Sequence, residues 1–357
     1  MRLALKTLQY TSLLLLTAAS LQATWNVIRD VESSWWEYLL RAFSPLLCIA
    51  LLAIIVIRIA VPKLRMKLLE KLVTLIALIA LVAPIARHIH TRYPHATTHL
   101  SSDIEDQFVS IIDLNVLGDR QLSKESIAEI TKRNADVVTL QEVNPEFARA
   151  IQENLTTEFP CQIIRPATGT SGMALLSRFP CSLVADTVEG SWVGEPIVAK
   201  ITPPKRRSFV VANVHALAPH MPTPLVGHSP LWSRLSQTVR TREESLANLL
   251  AILDRFRESP ILIAGDLNAT IRNRIYALIR NQGYKDGWLT LHDQTNGGTW
   301  PFPEFFGTQL LSWILRIDYV FYSDLLTPVE AKTIASTMGS DHKGLFFVFR
   351  ELYALDA

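Results

Sequence analysis

A carboxylate and a carboxamide two residues apart at the end of an apolar strand can position water and phosphate. The stretch Ile261-Leu262-Ile263-Ala264-Gly265-Asp266-Leu267-Asn268 has this form: four residues of buried-strand character run into a glycine turn, and Asp266 and Asn268 follow on one side. Polar groups at the end of a core strand need partners, because an unpaired polar group in the interior is costly. A plainer reading makes Gly265-Asp266 a turn and Asn268 the cap of a helix over 271–279. On this segment alone the two readings weigh equally.

The pattern recurs along the chain. Asn115 follows Ile111-Ile112-Asp113-Leu114, Gln141-Glu142 follows Val137-Val138-Thr139-Leu140, and His215 follows Val210-Val211-Ala212-Asn213-Val214. Asp318 precedes Tyr319-Val320-Phe321, and Ser340-Asp341-His342 precedes the last strand. If these ends meet on one rim, they form a carboxylate, carboxamide and imidazole cluster suited to a hard divalent cation and a phosphate ester. Each residue alone has an ordinary explanation: His215 as a satisfied core histidine, Glu142 as the cap of the helix after Asn144-Pro145, Asp318 as a charge guarding a sheet edge. As an ordered set they favour chemistry.

The elements that must position them follow from periodicity. Strands are expected at 108–114, 137–140, 162–165, 173–177, 209–214, 261–264, 318–322 and 345–349, and helices at 125–133, 148–155 and 242–257. That many strands with few helices points to an α+β sandwich forming one domain over 105–352.

The N-terminal part is different. Of 357 residues 49% are hydrophobic and 19% charged, and the apolar excess lies in residues 1–92. Apolar runs at 8–25, 43–61 and 70–89 each approach the roughly 20 residues that cross a bilayer, giving three transmembrane helices. Arg58, Lys63, Arg65, Lys67 and Lys71 between the second and third runs place that connection and the N-terminus in the cytoplasm. Everything after the third run is then extracytoplasmic, reached through a polar linker at 93–104; a first run cleaved as a signal peptide, or only two spanning runs with the catalytic domain in the cytoplasm, are the alternatives. Trp35 and Trp36 suit an amphipathic segment at the outer interface. The net charge of +2 argues weakly against an extended nucleic-acid surface. Cys161 and Cys181 flank two strands joined by a turn-rich segment, which could set them opposite each other on a hairpin; outside the cytoplasm they could pair, inside they would stay reduced.

Together, Leu140-Gln141-Glu142, Gly265-Asp266-Leu267-Asn268, Arg316-Ile317-Asp318-Tyr319 and Ser340-Asp341-His342, supported by Gly172 to Pro180 and Gly298-Thr299-Trp300-Pro301, resemble the endonuclease/exonuclease/phosphatase superfamily over roughly Asp106 to Arg350, and most of all its membrane-anchored bacterial members. The resemblance implies a four-layer α/β sandwich of α+β class and Mg²⁺-dependent cleavage of phosphate esters, with Mn²⁺ as a substitute metal. It implies that Glu142 is the principal metal ligand, with Asn115 beside it and Asp341 completing the site. Asp266 would orient or deprotonate the attacking water, Asn268 would hold a phosphoryl oxygen, Asp318 would orient His342, and His342 with His215 would stabilise charge on the phosphate. Whether His342 or Asp266 is the general base, and whether one metal or two bind, stays open. The proline-rich segment 218–241, with its apolar residues, and Pro301 to Phe306 would line the site and admit a lipid-linked substrate. A phosphodiesterase of the bacterial inner membrane is therefore expected, facing the bilayer and a phosphate ester as partners. A metal-dependent nuclease and a non-catalytic membrane scaffold are the competing classes.

Overall fold

Alternate residues of the strands face two different interiors. In β1 (Phe108–Asn115), Val109 and Ile111 join one apolar cluster while Ile112 and Leu114 join another. In β2 (Val137–Gln141), Val137 belongs to the first, Val138 and Leu140 to the second. Strands covered on both faces read as continuous apolar runs, as these do.

The first cluster lies between two six-stranded sheets and takes side chains from both. One sheet is ordered β11 (Leu326–Ile334), β12 (Gly344–Glu351), β1, β2, β4 (Met173–Ser177), β3 (Cys161–Arg165). The other is ordered β5 (Cys181–Ala185), β6 (Trp192–Ile201), β7 (Phe209–Ala216), β8 (Ile261–Asp266), β10 (Asp318–Tyr322), β9 (Lys285–Asp286). At the heart of each sheet sits one parallel pair, β1 with β2 and β7 with β8.

Helices cover the outer faces. On the first sheet, Ile130 of α1 (Lys124–Lys132) and Phe147, Ala148 and Ile151 of α2 (Pro145–Asn154) pack on Ile112, Leu114, Val138 and Leu140. On the second, Tyr276 of α4 (Arg274–Asn281) lies 5.3 Å from Tyr319 and 5.4 Å from Phe321, ring centre to ring centre. Val320 and Tyr322 of the same strand face inward. The α+β architecture with two mixed sheets is the one expected.

The computed structural model describes residues 35–43, 47, 108–118, 124–204, 206–219, 231–292, 297–300, 315–334 and 340–352. Two compact units divide the chain. One comprises Met1–Arg92, Pro219–Arg240 and Ile271–Arg274, the other Tyr93–Ala218, Thr241–Thr270 and Ile275–Ala357. The runs at 8–25 and 70–89, nearly all of 43–61, the linker at 93–104 and the segments 220–230 and 301–314 lie outside the described residues. Among the described residues, no helix is long and apolar enough to cross a membrane.

Several expectations need correction. The strand at 261–264 does not turn at Gly265 but continues to Asp266. Gly265 has φ +135°, and a Cβ there would stand 2.0 Å from the carbonyl oxygen of Val214 on the neighbouring parallel strand, so only glycine lets the backbones approach. Residues 231–241, expected as loop from their neighbouring prolines, belong to α3 (Leu231–Asp254). β6 and β11 escaped notice because Gly194, Pro196 and Pro328 interrupt their pattern at register shifts, where such residues are tolerated.

The cysteines are bonded, yet not across a hairpin. Cys161 pairs in register with Ser177, while Cys181 opens β5 in the other sheet; the disulfide, with Cα atoms 5.9 Å apart, joins the edge strands of the two sheets. The chain crosses between sheets at Arg178 to Pro180, and the bond closes that crossover across a sequence separation of 20. Replacing both cysteines by alanine is expected to cost about 3 kcal/mol of stability, seen as a Tm lower by about 10 °C. An unchanged Tm would show that packing alone holds these edges.

Candidate active site

Along each central strand the inward face changes character toward one end. Val109 and Ile111 give way to Asp113 and Asn115; Val137 to Thr139 and Gln141; Phe209 and Val211 to Asn213 and His215; Leu262 and Ala264 to Asp266. Residues two apart share a face, so each strand carries its polar groups into the gap between the sheets. The register sets Asn115 beside Gln141, His215 beside Asp266, and Asp266 beside Asp318. One end of the sandwich is thereby lined with polar groups.

A bridging layer lies beneath that rim. Gln141 Nε2 donates to Asp113 Oδ1 at 2.8 Å and to Asn213 Oδ1 at 2.7 Å, crossing from one sheet to the other. Asn213 Nδ2 donates to the carbonyls of Leu140 and Ala174 at 2.9 and 2.8 Å, and Thr139 Oγ1 donates to Asp113 Oδ1 at 2.7 Å. Sequence reasoning did not assign these residues a role. Asp113 and Asn213 stand two positions before Asn115 and His215, and that spacing is the signal the sequence carries.

Glu142 stands one residue beyond β2 with φ +63°. Its two oxygens are held separately: Asn115 Nδ2 donates to Oε1 and the Gly118 N–H to Oε2, each at 3.0 Å. Asn144 performs the capping considered for Glu142. Its Oδ1 accepts from the Phe147 N–H at 2.7 Å and its Nδ2 donates to the Gly118 carbonyl at 2.8 Å. Glu142 is therefore free of helix capping and faces the rim.

Asp266 lies at the centre. Its Oδ2 receives Asn115 Nδ2 at 3.3 Å and lies 3.6 Å from His215 Nε2 and 3.9 Å from His342 Nε2, and its Oδ1 accepts from the Asn268 N–H at 2.6 Å. Asn268, with φ +46°, donates Nδ2 to the Ala216 carbonyl at 3.0 Å. Buried Arg242 of α3 grips the same loop, donating to the carbonyls of Leu267 at 2.7 Å and Asn268 at 3.1 Å.

His342 Nδ1 lies 2.9 and 3.1 Å from the two oxygens of Asp318. Its N–H donates to Ser340 Oγ at 3.0 Å, and that hydroxyl donates to the Asn115 carbonyl at 2.7 Å, tying the last loop to β1. Thr299 Oγ1 accepts from the N–H groups of Ile317 and Asp318. Trp300 Nε1 donates to Asp341 Oδ2 at 2.9 Å, and the other oxygen of Asp341 lies 3.9 Å from His342 Nε2 on the more open side. All eight residues singled out in the sequence thus meet at this rim; Gly118, Ser340, Thr299 and Trp300 emerge as their supports.

Burial shapes the electrostatics. It pushes Asp266 up to about 8, with Asp318 adding to the rise, and Asp113 up to about 7; it also raises Glu142 against the Gly118 N–H and Asn115. It drives His215 down to about 3, leaving that ring neutral. Burial alone would lower His342 too, but Asp318 beside it, with Asp266 and Asp341, carries it up to about 10. Four buried carboxyl groups, of Asp113, Glu142, Asp266 and Asp318, therefore face one imidazolium. Carboxyl oxygens gathered in excess over the nearby cation suit a hard divalent ion, and those of Glu142 and Asp266 lie together about Asn115 Nδ2. The residues fit such an ion.

A sequence model of the Endonuclease/Exonuclease/phosphatase family matches residues 114–342. Among solved structures, the AP endonuclease LMAP from Leishmania major is similar, with a TM-score of 0.51 and 18% identity over 73% of this chain and 93% of that one. The human Nocturnin catalytic domain with bound sulfate anion gives 0.50 and 18% over 69% of this chain and 95% of its own. At such identities the likeness is one of fold. A comparison with curated proteins finds no match.

Proposed function

We propose, from the premise that this chain belongs to the endonuclease/exonuclease/phosphatase family, that it is a membrane-anchored, Mg²⁺-dependent phosphodiesterase attacking its ester in line with water. The observation that carries this reading is the buried rim where Glu142, Asp266 and Asp318 converge with one charged imidazole.

Glu142 with Asn115 would hold the metal, and Asp341 would complete its surroundings. Bound there, Mg²⁺ supplies Lewis-acid polarisation of a phosphoryl oxygen and neutralises charge in the displacement. The remaining work falls to side chains. Asp266, raised to about 8, is matched to taking a proton from water near neutral pH. The Asn268 N–H, 2.6 Å from Oδ1, orients that carboxylate. His342, kept protonated by Asp318, presents Nε2 toward the space above Asp266 and stabilises the developing phosphate charge. Neutral His215 adds a hydrogen-bonding ring nitrogen without adding charge.

The Cys161–Cys181 bond supports an extracytoplasmic position for this unit, because disulfides persist in oxidising compartments. The basic connection between the second and third apolar runs supports the same orientation. The full chain is expected to hydrolyse bis-p-nitrophenyl phosphate with Mg²⁺, to stop on chelation with EDTA, and to recover with Mg²⁺ or Mn²⁺. Parallel assays with a phospholipid panel and DNA separate a lipid phosphodiesterase from a nuclease. Turnover indifferent to EDTA would overturn the metal-dependent reading.

A further inference from the structure

Residues 35–43 form a helix on the connection between the first two apolar runs. Glu37, Tyr38, Arg41 and Ala42 are at most 4% exposed and make one stripe by their i, i+1, i+4, i+5 spacing. The two buried charges match, Arg41 Nη2 lying 2.8 Å from Glu37 Oε1. This stripe is built to pack on protein, since a charged pair is costly to place in lipid.

In the same compact unit, side chains of the segment Ile271–Arg274 donate to backbone carbonyls of this helix. Arg272 Nε donates to the Arg41 carbonyl at 3.1 Å and Nη2 to the Ala42 carbonyl at 3.2 Å, while buried Asn273 donates Nδ2 to the Tyr38 carbonyl at 3.1 Å. Arg272 stands four residues after Asn268 in one continuous chain.

We propose that the helix of residues 35–43 is a clamp, by which the first membrane connection holds the chain leaving the catalytic loop of Asp266 and Asn268. The proposal rests on the membrane-anchored reading above and deepens it. It also fixes the topology. Segment 271–274 is continuous on both sides with the catalytic chain, so the first connection shares its side of the membrane. Between residues 43 and 108 the chain must cross an even number of times. The runs at 43–61 and 70–89 therefore cross together or not at all; on the membrane-anchored reading above both cross, and a single crossing by the first run leaves the N-terminus on the opposite face. Arrangements with only one crossing after residue 43 are incompatible with these three hydrogen bonds.

The test uses the full chain in native membrane vesicles, with Cys48→Ala as background and single cysteines at Ser33→Cys, Lys67→Cys and Lys200→Cys. A membrane-impermeant maleimide is expected to label Ser33→Cys and Lys200→Cys from the same side, and Lys67→Cys only from the other. Labelling of Ser33→Cys and Lys200→Cys from opposite sides overturns the proposal. The clamp is read by hydrogen exchange over 267–274 in Arg272→Gln and, from the other partner, Ala42→Pro. Each is expected to speed exchange there by about tenfold while the central strands keep their protection. Unchanged exchange in both variants overturns the clamp. Neither readout uses hydrolysis, so an inactive enzyme would count against the hydrolase reading and leave this one standing.

Discussion

Glu142→Gln is expected to lower kcat against bis-p-nitrophenyl phosphate by on the order of 10³-fold, with folding intact. The amide keeps the shape held by Asn115 and Gly118 but removes the charge that a divalent cation needs. Because burial already raises the Glu142 carboxyl, the neutral variant should lose no stability. A Tm at or above the parent value, together with a weakened response of activity to added Mg²⁺, is the expected pair of results. Parent-like turnover at saturating Mg²⁺ would remove Glu142 from the metal site.

Asp318→Asn carries the second large effect. The carboxylate lies within 3.1 Å of His342 Nδ1 through both oxygens and holds the ring charged. Where a carboxylate fixes a catalytic imidazole, its replacement by asparagine costs about 10⁴-fold in kcat. A loss of that order is expected near neutral pH. The pH dependence gives the sign. His342 is raised above its ordinary value of about 6.5, so its ion pair contributes stability fully below that pH and loses it as pH rises through about 10. In Asp318→Asn that contribution is gone, and the stability deficit should be largest in acid and vanish above about pH 10. Activity measured from pH 5 to 10 should fall at lower pH in the variant than in the parent. Coincident profiles would show that His342 does not act as a cation.

The sequence made the central strands legible because they are buried on both faces and end in polar residues. The expected strands at 173–177 and 318–322 match β4 and β10 to the residue. The convergence of the eight candidate residues on one rim was also legible, since each stands at or just beyond a strand end. What the sequence did not disclose depends on partners distant along the chain. The Asn213 to Gln141 bridge joins two sheets, and nothing local to either residue announces the other. The cysteines looked like a hairpin pair because they flank two strands nearly symmetrically about the turn at 166–172, whereas the chain leaves the first sheet after Ser177 and Cys181 opens a strand of the other. The positive φ of Glu142 is one that nothing in a glutamate side chain announces. β6 and β11 were hidden by prolines that an interior strand would exclude and a shifted register accepts.

The position of β1 between β2 and β12 has a consequence for how the protein is made. Asn115 is carried by the first strand of its sheet to be synthesised, and one long side of that strand pairs with Gly344–Glu351, close to the end of the chain. Until β12 has been made, β1 presents an unpaired edge that another chain could take. The rim is therefore completed late in synthesis, after β12 has emerged and paired. Chains cut short before β12 would carry Asn115, Glu142, Asp266 and Asp318 and still bear a sticky edge that quality-control proteases can recognise.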